Sequence, residues 1–293
     1  MSFIKKIKKE DKSISLELYS GKDIETSDDN HLKKIDKNSD IIRICVVDIE
    51  TTGFDIENDE IIEIAIKTVE CNKFDGSNIS ATKKYESYNY PGKEIDTEIT
   101  LLTGITNNMV KGKSIDWNIV KDIFNSSQLI VAHNAKFDRK FIEKYINTNK
   151  IWACSQKDID WKRRGFFKEN LEILCMWHGF YYEAHRAMND VNATINLLKH
   201  TSYENNNMPL IELIENAKKP HYKIENIFQY NADYVAILKK RKYHYNPKNK
   251  SWNIIFKNEK KLNEEKKWLE YNIYSGEFKG VLYNISVFDK YKN

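Results

Sequence analysis

The order of apolar segments predicts an α/β fold, a five-stranded mixed sheet flanked by helices, followed by a small α+β module. Two observations carry this expectation: short β-branched runs that stop at polar residues, and stripes at helical spacing after them. Residues 41–47 are apolar enough for a buried central strand, which runs on to Glu50. Residues 61–69 and 82–90 read as two further strands, with turn signals at Asn58-Asp59 and at Asp75-Gly76-Ser77-Asn78. Residues 128–132 repeat the strand pattern and end at His133 and Asn134, and a fifth strand ends at Cys154. A helix capped near Asn134 is expected to carry Phe137, Phe141, Ile142 and Tyr145 on its apolar stripe. A later helix carries Ala187, Val191, Ile195 and Leu198 at spacings of four, four and three.

Chemistry-bearing residues gather where these strands end. Asp48 and Glu50 are two apart on the central strand, so both side chains project from the same face. Two carboxylates facing one buried space need cations or protons to neutralise them. Asp138 falls in the first turn of its helix, where a carboxylate also suits the positive helix terminus. Asp190 lies beside the stripe of the later helix, and His185 precedes it by five residues on a loop or helix start. Each signal alone has a plain structural explanation: a solvated strand end, a dipole partner, a surface histidine. His133 and Asn134 likewise read first as turn and cap residues.

Taken together in this order, the segments Asp48-Ile49-Glu50-Thr51-Thr52-Gly53, His133-Asn134-Ala135-Lys136-Phe137-Asp138 and His185-Arg186-Ala187-Met188-Asn189-Asp190 resemble the motifs of the DEDDh (DnaQ-like) 3′–5′ exonuclease family. Leu102-Thr103-Gly104-Ile105-Thr106 resembles the stretch that this family places beside the terminal nucleotide. Trp152-Ala153-Cys154-Ser155 and Trp161-Lys162 resemble a signature of its epsilon-like bacterial branch. The catalytic resemblance spans roughly residues 40–202.

The resemblance implies a ribonuclease H-like fold and metal-dependent release of nucleoside 5′-monophosphates from a 3′ end. It implies that Asp48, Glu50 and Asp190 hold one divalent cation, that Asp48 and Asp138 hold a second, and that His185 is the general base. Oxygen-only ligands suit Mg²⁺ or Mn²⁺ rather than zinc. Thr51, Thr52, Gly53, Leu102, Gly104, Ile105, His133 and Asn134 would line the terminal nucleotide. Gly53 would permit close approach, and Leu101, Leu102 and Ile105 would press on the last base, with core packing an equal reading for two of those three.

Composition bounds the remainder. A chain of 293 residues is long enough for two domains, and a net charge of +4 permits a nucleic-acid partner without demanding one. The four cysteines, Cys45, Cys71, Cys154 and Cys175, form no Cys-x-x-Cys pair, which argues against a zinc site or a disulfide framework. No apolar stretch is long enough to span a membrane, and the cationic start at residues 1–9 lacks the apolar region of a secretory signal. A cytoplasmic protein with no membrane partner is the expectation. Residues 1–39, with a weakly alternating stretch at 14–19, read as a mobile arm or an addition to a sheet edge.

Residues 203–220 read as a linker, with Asn205-Asn206-Asn207 as a break and a short helix from Pro209 to Ala217. Residues 221–293 then read as the accessory module: a strand at 222–228, a helix at 233–242, a hairpin at 243–256 around Asn246-Pro247-Lys248-Asn249, and a helix at 261–271. This layout resembles a module appended to some stand-alone exonucleases of the epsilon-like branch. Fifteen Lys and Arg against eight Asp and Glu give it an excess of +7. Lys240, Arg241, Tyr243, Tyr245 and Trp252 are its candidate strand-binding residues, by phosphate neutralisation and base stacking. The competing reading puts Trp252 and the tyrosines in a small core beneath a solvated basic face.

DNA, single-stranded by preference, is the favoured substrate, and a DNA polymerase or repair complex the expected protein partner. Motifs alone leave open an exoribonuclease, because sugar discrimination depends on how closely the pocket meets the 2′ hydroxyl. A non-catalytic binding or scaffold protein on the same fold is the more distant alternative, and intact catalytic residues argue against it.

Overall fold

A computed structural model of the chain describes residues 15–24, 35–36, 39–226, 228 and 231–292. The remainder of the arm expected at residues 1–39, and Ile227 within the strand expected at 222–228, lie outside the described residues. The chain divides into two compact units, Met1–Ala217 with Tyr291–Asn293, and Lys218–Lys290.

In the first unit, β2 (Ile41–Thr51), β3 (Ile61–Asn72), β4 (Ser80–Tyr88), β5 (Leu129–Ala132) and β6 (Ile151–Cys154) form one sheet in the order β4-β3-β2-β5-β6. β3 runs antiparallel to β2 and β4, whereas β2, β5 and β6 are mutually parallel. This is the mixed sheet of the ribonuclease H-like class. The carboxyl ends of the three parallel strands therefore share one edge, where ligands gather in open α/β sheets.

Strand parity decides which layer each side chain enters. On β2, Ile42, Ile44 and Val46 join one core, while Cys45, Val47 and Ile49 join another across the sheet. The first core is closed by α5 (Leu171–Trp177), α6 (Ala187–Leu198) and α7 (Pro209–Ala217), the second by α3 (Trp117–Ser126) and α4 (Ala135–Ile142). Asp48 and Glu50 have the parity of Val46, so they face the layer that holds α6. Two short helices, α1 (Thr97–Thr103) and α2 (Asn107–Val110), follow β4, and Ile62, Ile95, Ile105 and Val110 form a small core of their own there. All four cysteines are buried free thiols.

Several boundaries differ from expectation. α7 belongs to the first unit's core through Leu210, Ile211, Leu213, Ile214 and Ala217, so residues 209–217 are packed structure rather than linker. α4 ends at Ile142, and Tyr145 lies beyond it, its ring stacked on Trp117 at 4.3 Å and its hydroxyl donating to Glu60. Asn134 does not cap α4 with its side chain: it stands in the left-handed region at φ +102°, and the chain passes from β5 into the helix through only two residues, His133 and Asn134. From the arm, β1 (Glu17–Leu18) adds in parallel to β7 (Phe180–Tyr181).

The second unit contains β8 (His221–Asn226), α8 (Ala232–Lys240), β9 (His244–Asn246), β10 (Ser251–Phe256), α9 (Glu259–Asn272) and β11 (Val281–Ile285). Its sheet is antiparallel in the order β11-β8-β10-β9, and β11 was not anticipated from the sequence. Asn231 and Asn258 cap α8 and α9 by accepting backbone N–H bonds. Ile224, Leu238, Trp252, Leu262 and Leu269 form its core. Among the described residues, no helix is long and apolar enough to cross a membrane.

Candidate active site

β2 delivers two carboxylates to the parallel-strand edge. A β-bulge follows at once: Glu50 pairs with Glu63 but Thr51 pairs with Ile61, so Ile62 is left over and the strand turns. α6 packs across β2 and β3 and brings Asp190 toward the same space. Ligand oxygens of Asp48, Glu50 and Asp190 lie within 4.8 Å of one another. Asp138 stands outside that group of three. It enters from α4 across the sheet end, is buried, and accepts from the backbone N–H of Ile49 between the two β2 carboxylates.

The electrostatics follow from this crowding. Burial, then the charges of Asp190, Asp138, Glu50 and Glu63, hold the Asp48 carboxyl well above the usual carboxylate range. Burial, Asp190 and Glu63 push Glu50 to about 8. Burial raises Asp138 to about 7, against the opposing pull of its own N–H and that of Ile49. Asp190 rises to about 6, burial outweighing the Tyr182 hydroxyl and the neighbouring His185. Such a cluster is a high-energy arrangement for anions unless positive charge is brought to it, which is the behaviour of a cation site. One oxygen of the cluster, Asp190 Oδ2, is buried without a hydrogen-bond partner.

His185 precedes α6 at φ +62°, half-buried, close enough to lower Asp190 by its charge. Its loop is fastened by Glu63, a carboxylate opposite Glu50 that sequence reasoning missed. Glu63 Oε2 accepts from the Ala187 N–H at 3.0 Å, and Oε1 accepts from Arg186 Nη2 at 3.2 Å. Arg186 also donates to the Tyr88 hydroxyl. Glu63 was legible as the one charge in the apolar run Ile61-Ile62-Glu63-Ile64-Ala65-Ile66. Tyr182, whose hydroxyl donates to Asp190 Oδ1 at 2.8 Å, carries no such signal. Burial and the Asp190 charge hold its phenol far above the usual range, so it remains a donor.

The residues expected to line the nucleotide divide into two sets. Thr51 and Thr52 are buried; Thr51 Oγ1 donates to Gly53 O at 2.6 Å and Thr52 Oγ1 to Asp59 Oδ1 at 2.8 Å. A Cβ at Gly53 would meet Asp59 Oδ2 at 2.4 Å, so the close approach that glycine permits is to Asp59. Leu101 and Leu102 are exposed beside Gly104, which ends α1 at φ +71° with open space around it. Ile105 is a correction: its side chain is wholly buried in the core with Ile62, Ile95 and Val110, so it does not press on a base. His133 is a second correction, since both ring nitrogens are committed, Nδ1 with Ser155 Oγ and Nε2 with Glu169 O, each at 2.8 Å. Burial pushes it down to about 4, a neutral structural ring. Asn134 is exposed beside it. Phe54, 88% exposed and 5.9 Å from Phe137, is the apolar surface at this mouth that the motif reading passed over.

In the second unit two of the three aromatic candidates follow the core reading rather than strand binding. Tyr243 and Trp252 are core residues, and Tyr243 donates to Glu265. Arg241 pairs with Glu265 and lies 3.9 Å over the Trp268 ring. Lys240 and Tyr245 remain exposed, with Lys239, Lys242, Lys248 and Lys250.

An RNase_T exonuclease family model matches residues 45–198. DNA polymerase III subunit epsilon of Aquifex aeolicus is 38% identical over 158 residues, 51% of this chain and 75% of that protein. A PolC-type DNA polymerase III of Clostridium perfringens is 35% identical over 162 residues, 53% of this chain but only 11% of that protein. Among solved structures, exonuclease X in complex with 5′ overhanging duplex DNA aligns over 58% of this chain and 99% of its own, at 20% identity and a TM-score of 0.41. The matched span contains all four acids and His185 and covers more than half of the chain, which therefore belongs to the RNase_T exonuclease family, the DnaQ-like 3′–5′ exonucleases of the DEDD superfamily.

Proposed function

We propose that the chain degrades DNA from its 3′ end, single strands in preference, releasing nucleoside 5′-monophosphates with Mg²⁺ or Mn²⁺. The observation that carries this reading is the convergence of the half-buried Asp48, Glu50 and Asp190, with the buried Asp138 and with His185 near them. Asp48, Glu50 and Asp190 hold one cation and Asp48 with Asp138 the other, an oxygen-only ligand set suited to those ions. When bound, the two cations supply the charge that stabilises the entering and departing oxygens of an in-line displacement. His185 takes a proton from the attacking water, on a loop held to the sheet by Glu63. Leu102 and Gly104, with Thr51 to Gly53 at the turn of β2, line the terminal nucleotide. The relatives named as subunits or types of DNA polymerase III support DNA over RNA and a polymerase or repair complex as partner. The exposed lysines of residues 239–250 support a strand-holding role for the second unit.

End-labelled single-stranded DNA, duplex DNA and RNA, each with Mg²⁺, Mn²⁺ or chelator, test the reading. Single-stranded DNA should shorten from its 3′ end, and chelator should stop it. Asp48→Ala should abolish release, and His185→Ala should slow it by roughly 10²- to 10⁴-fold. Release that survives chelation, or an active Asp48→Ala protein, would refute the metal site. Faster digestion of RNA would reassign the substrate.

A further inference from the structure

The acids of the site lie on β2, α4 and α6, but what fixes the orientation of the α6 carboxylate comes from outside the motifs. Tyr182 follows β7 directly and is 8% exposed, in one core with Phe180, Ala187 and Val191. Its hydroxyl donates to Asp190 Oδ1 at 2.8 Å. The other oxygen, Oδ2, is buried and makes no hydrogen bond. A carboxylate on a helix can rotate about its terminal torsion, a broad twofold well. One oxygen tied to a buried phenol leaves the second turned away from it, free for a ligand. Asp190 contributes one of the three oxygens that lie within 4.8 Å of one another, with Asp48 and Glu50.

We propose that Tyr182 is a positioning residue for the cation site: its hydroxyl fixes the rotation of the Asp190 carboxylate so that one oxygen is reserved for the ion shared with Asp48 and Glu50. This rests on the reading of that cluster as a metal site. Tyr182 touches neither ion nor substrate and acts through Asp190. Partners of this kind, hydrogen-bonded to a ligating carboxylate, typically change metal affinity by roughly 10- to 100-fold when removed. β7 is itself held from its far side by β1 and by Tyr19, whose ring meets Phe180 at 5.6 Å, so the phenol enters from a supported strand.

The test is Mn²⁺ binding by calorimetry to the full chain without substrate, for wild type, Tyr182→Phe, Asp190→Ala and Tyr19→Phe. Tyr19→Phe removes a phenol–carboxylate bond, to Asp23, away from the site. Tyr182→Phe should weaken Mn²⁺ binding by roughly 10- to 100-fold, with its metal-free melting temperature close to wild type, and Tyr19→Phe should leave the affinity unchanged. Nuclease assays should then show that Tyr182→Phe needs more Mg²⁺ for half-maximal rate and recovers at saturating Mg²⁺. An unchanged Mn²⁺ affinity in Tyr182→Phe, with wild type binding and Asp190→Ala not, would overturn the positioning role and leave the metal site standing. Wild type that binds no Mn²⁺ would overturn both. A lowered melting temperature with unchanged affinity would make Tyr182 a packing residue only and overturn the role.

Discussion

At the scale of residues, four acids share one poorly hydrated space, and this governs how the metal-free protein responds to pH. The raised carboxyl groups of Glu50, Asp138 and Asp190, at about 8, 7 and 6, bind protons in the folded state that they release when unfolded. Their stabilising effect is thus fully present below their unfolded values near 4, and it is lost as pH rises through about 6 to 8. Unfolding by urea in chelator should show stability falling across that window, with Mn²⁺ reversing the fall. Asp138→Asn should raise metal-free stability at pH 8 by about 1–3 kcal/mol, and the same titration should show a smaller gain on adding Mn²⁺. The four acids and His185 were legible because the fold repeats one device, a strand end or first helical turn carrying a charge. Tyr182 was less so, because a lone tyrosine eight residues before Asp190 matches no strand or helix spacing, and Glu63, visible as a charge in an apolar run, gave no sign of partners more than 120 residues away. For Tyr243 and Trp252 the basic neighbours left strand binding and a small core both open, and they fill the core because a small unit needs large rings to do so.

Elements position the site through their junctions more than through their lengths. The strand cores were readable from β-branched runs, but the bulge at Glu50 and Thr51 was not, since an extra residue on β3 changes pairing without changing composition. Nor was the left-handed Asn134, which takes the place of a side-chain cap. α6 and the residue after it are met by residues 21–23: Lys199 pairs with Asp23 at 2.6 Å, and Gly21 stands against Asn192. Asn192 in turn accepts from the buried Lys67 at 2.5 Å. A Cβ at Gly21 would lie 2.4 Å from Asn192 Nδ2, at φ +74°. Gly21→Ala should therefore cost about 1–2 kcal/mol from the left-handed backbone alone, and more if Asn192 keeps its bond to Lys67. Urea midpoints of the two proteins measure this.

The whole molecule separates chemistry from charge. All five catalytic candidates lie in the first unit, while the excess of +7 lies from residue 221 onward. Replacing Lys239, Lys240 and Lys242 together by Gln should weaken binding of single-stranded DNA in chelator. It should also lower the slope of log affinity against log salt by about 0.7 for each phosphate that is no longer neutralised. Fluorescence anisotropy over a salt series gives both numbers, and an unchanged slope would remove these lysines from the strand path. Hydrolysis of a dinucleotide, too short to need that path, should proceed at the wild-type rate.

The chain's return at Tyr291 gives this division a further consequence. Tyr291 packs against the core beneath β2 and β5, although Lys218–Lys290 form a separate unit. The second unit is therefore bracketed in the sequence by residues of the first. A protease cut near residue 218 severs the peptide connection and leaves Tyr291 held to the first unit by packing alone. Removal of everything after residue 217 also strips Tyr291 from the first unit's core, so such a truncation compares two differently packed nucleases. Excision of residues 218–290 with a short bridge to Tyr291 is the cut that leaves the catalytic core whole.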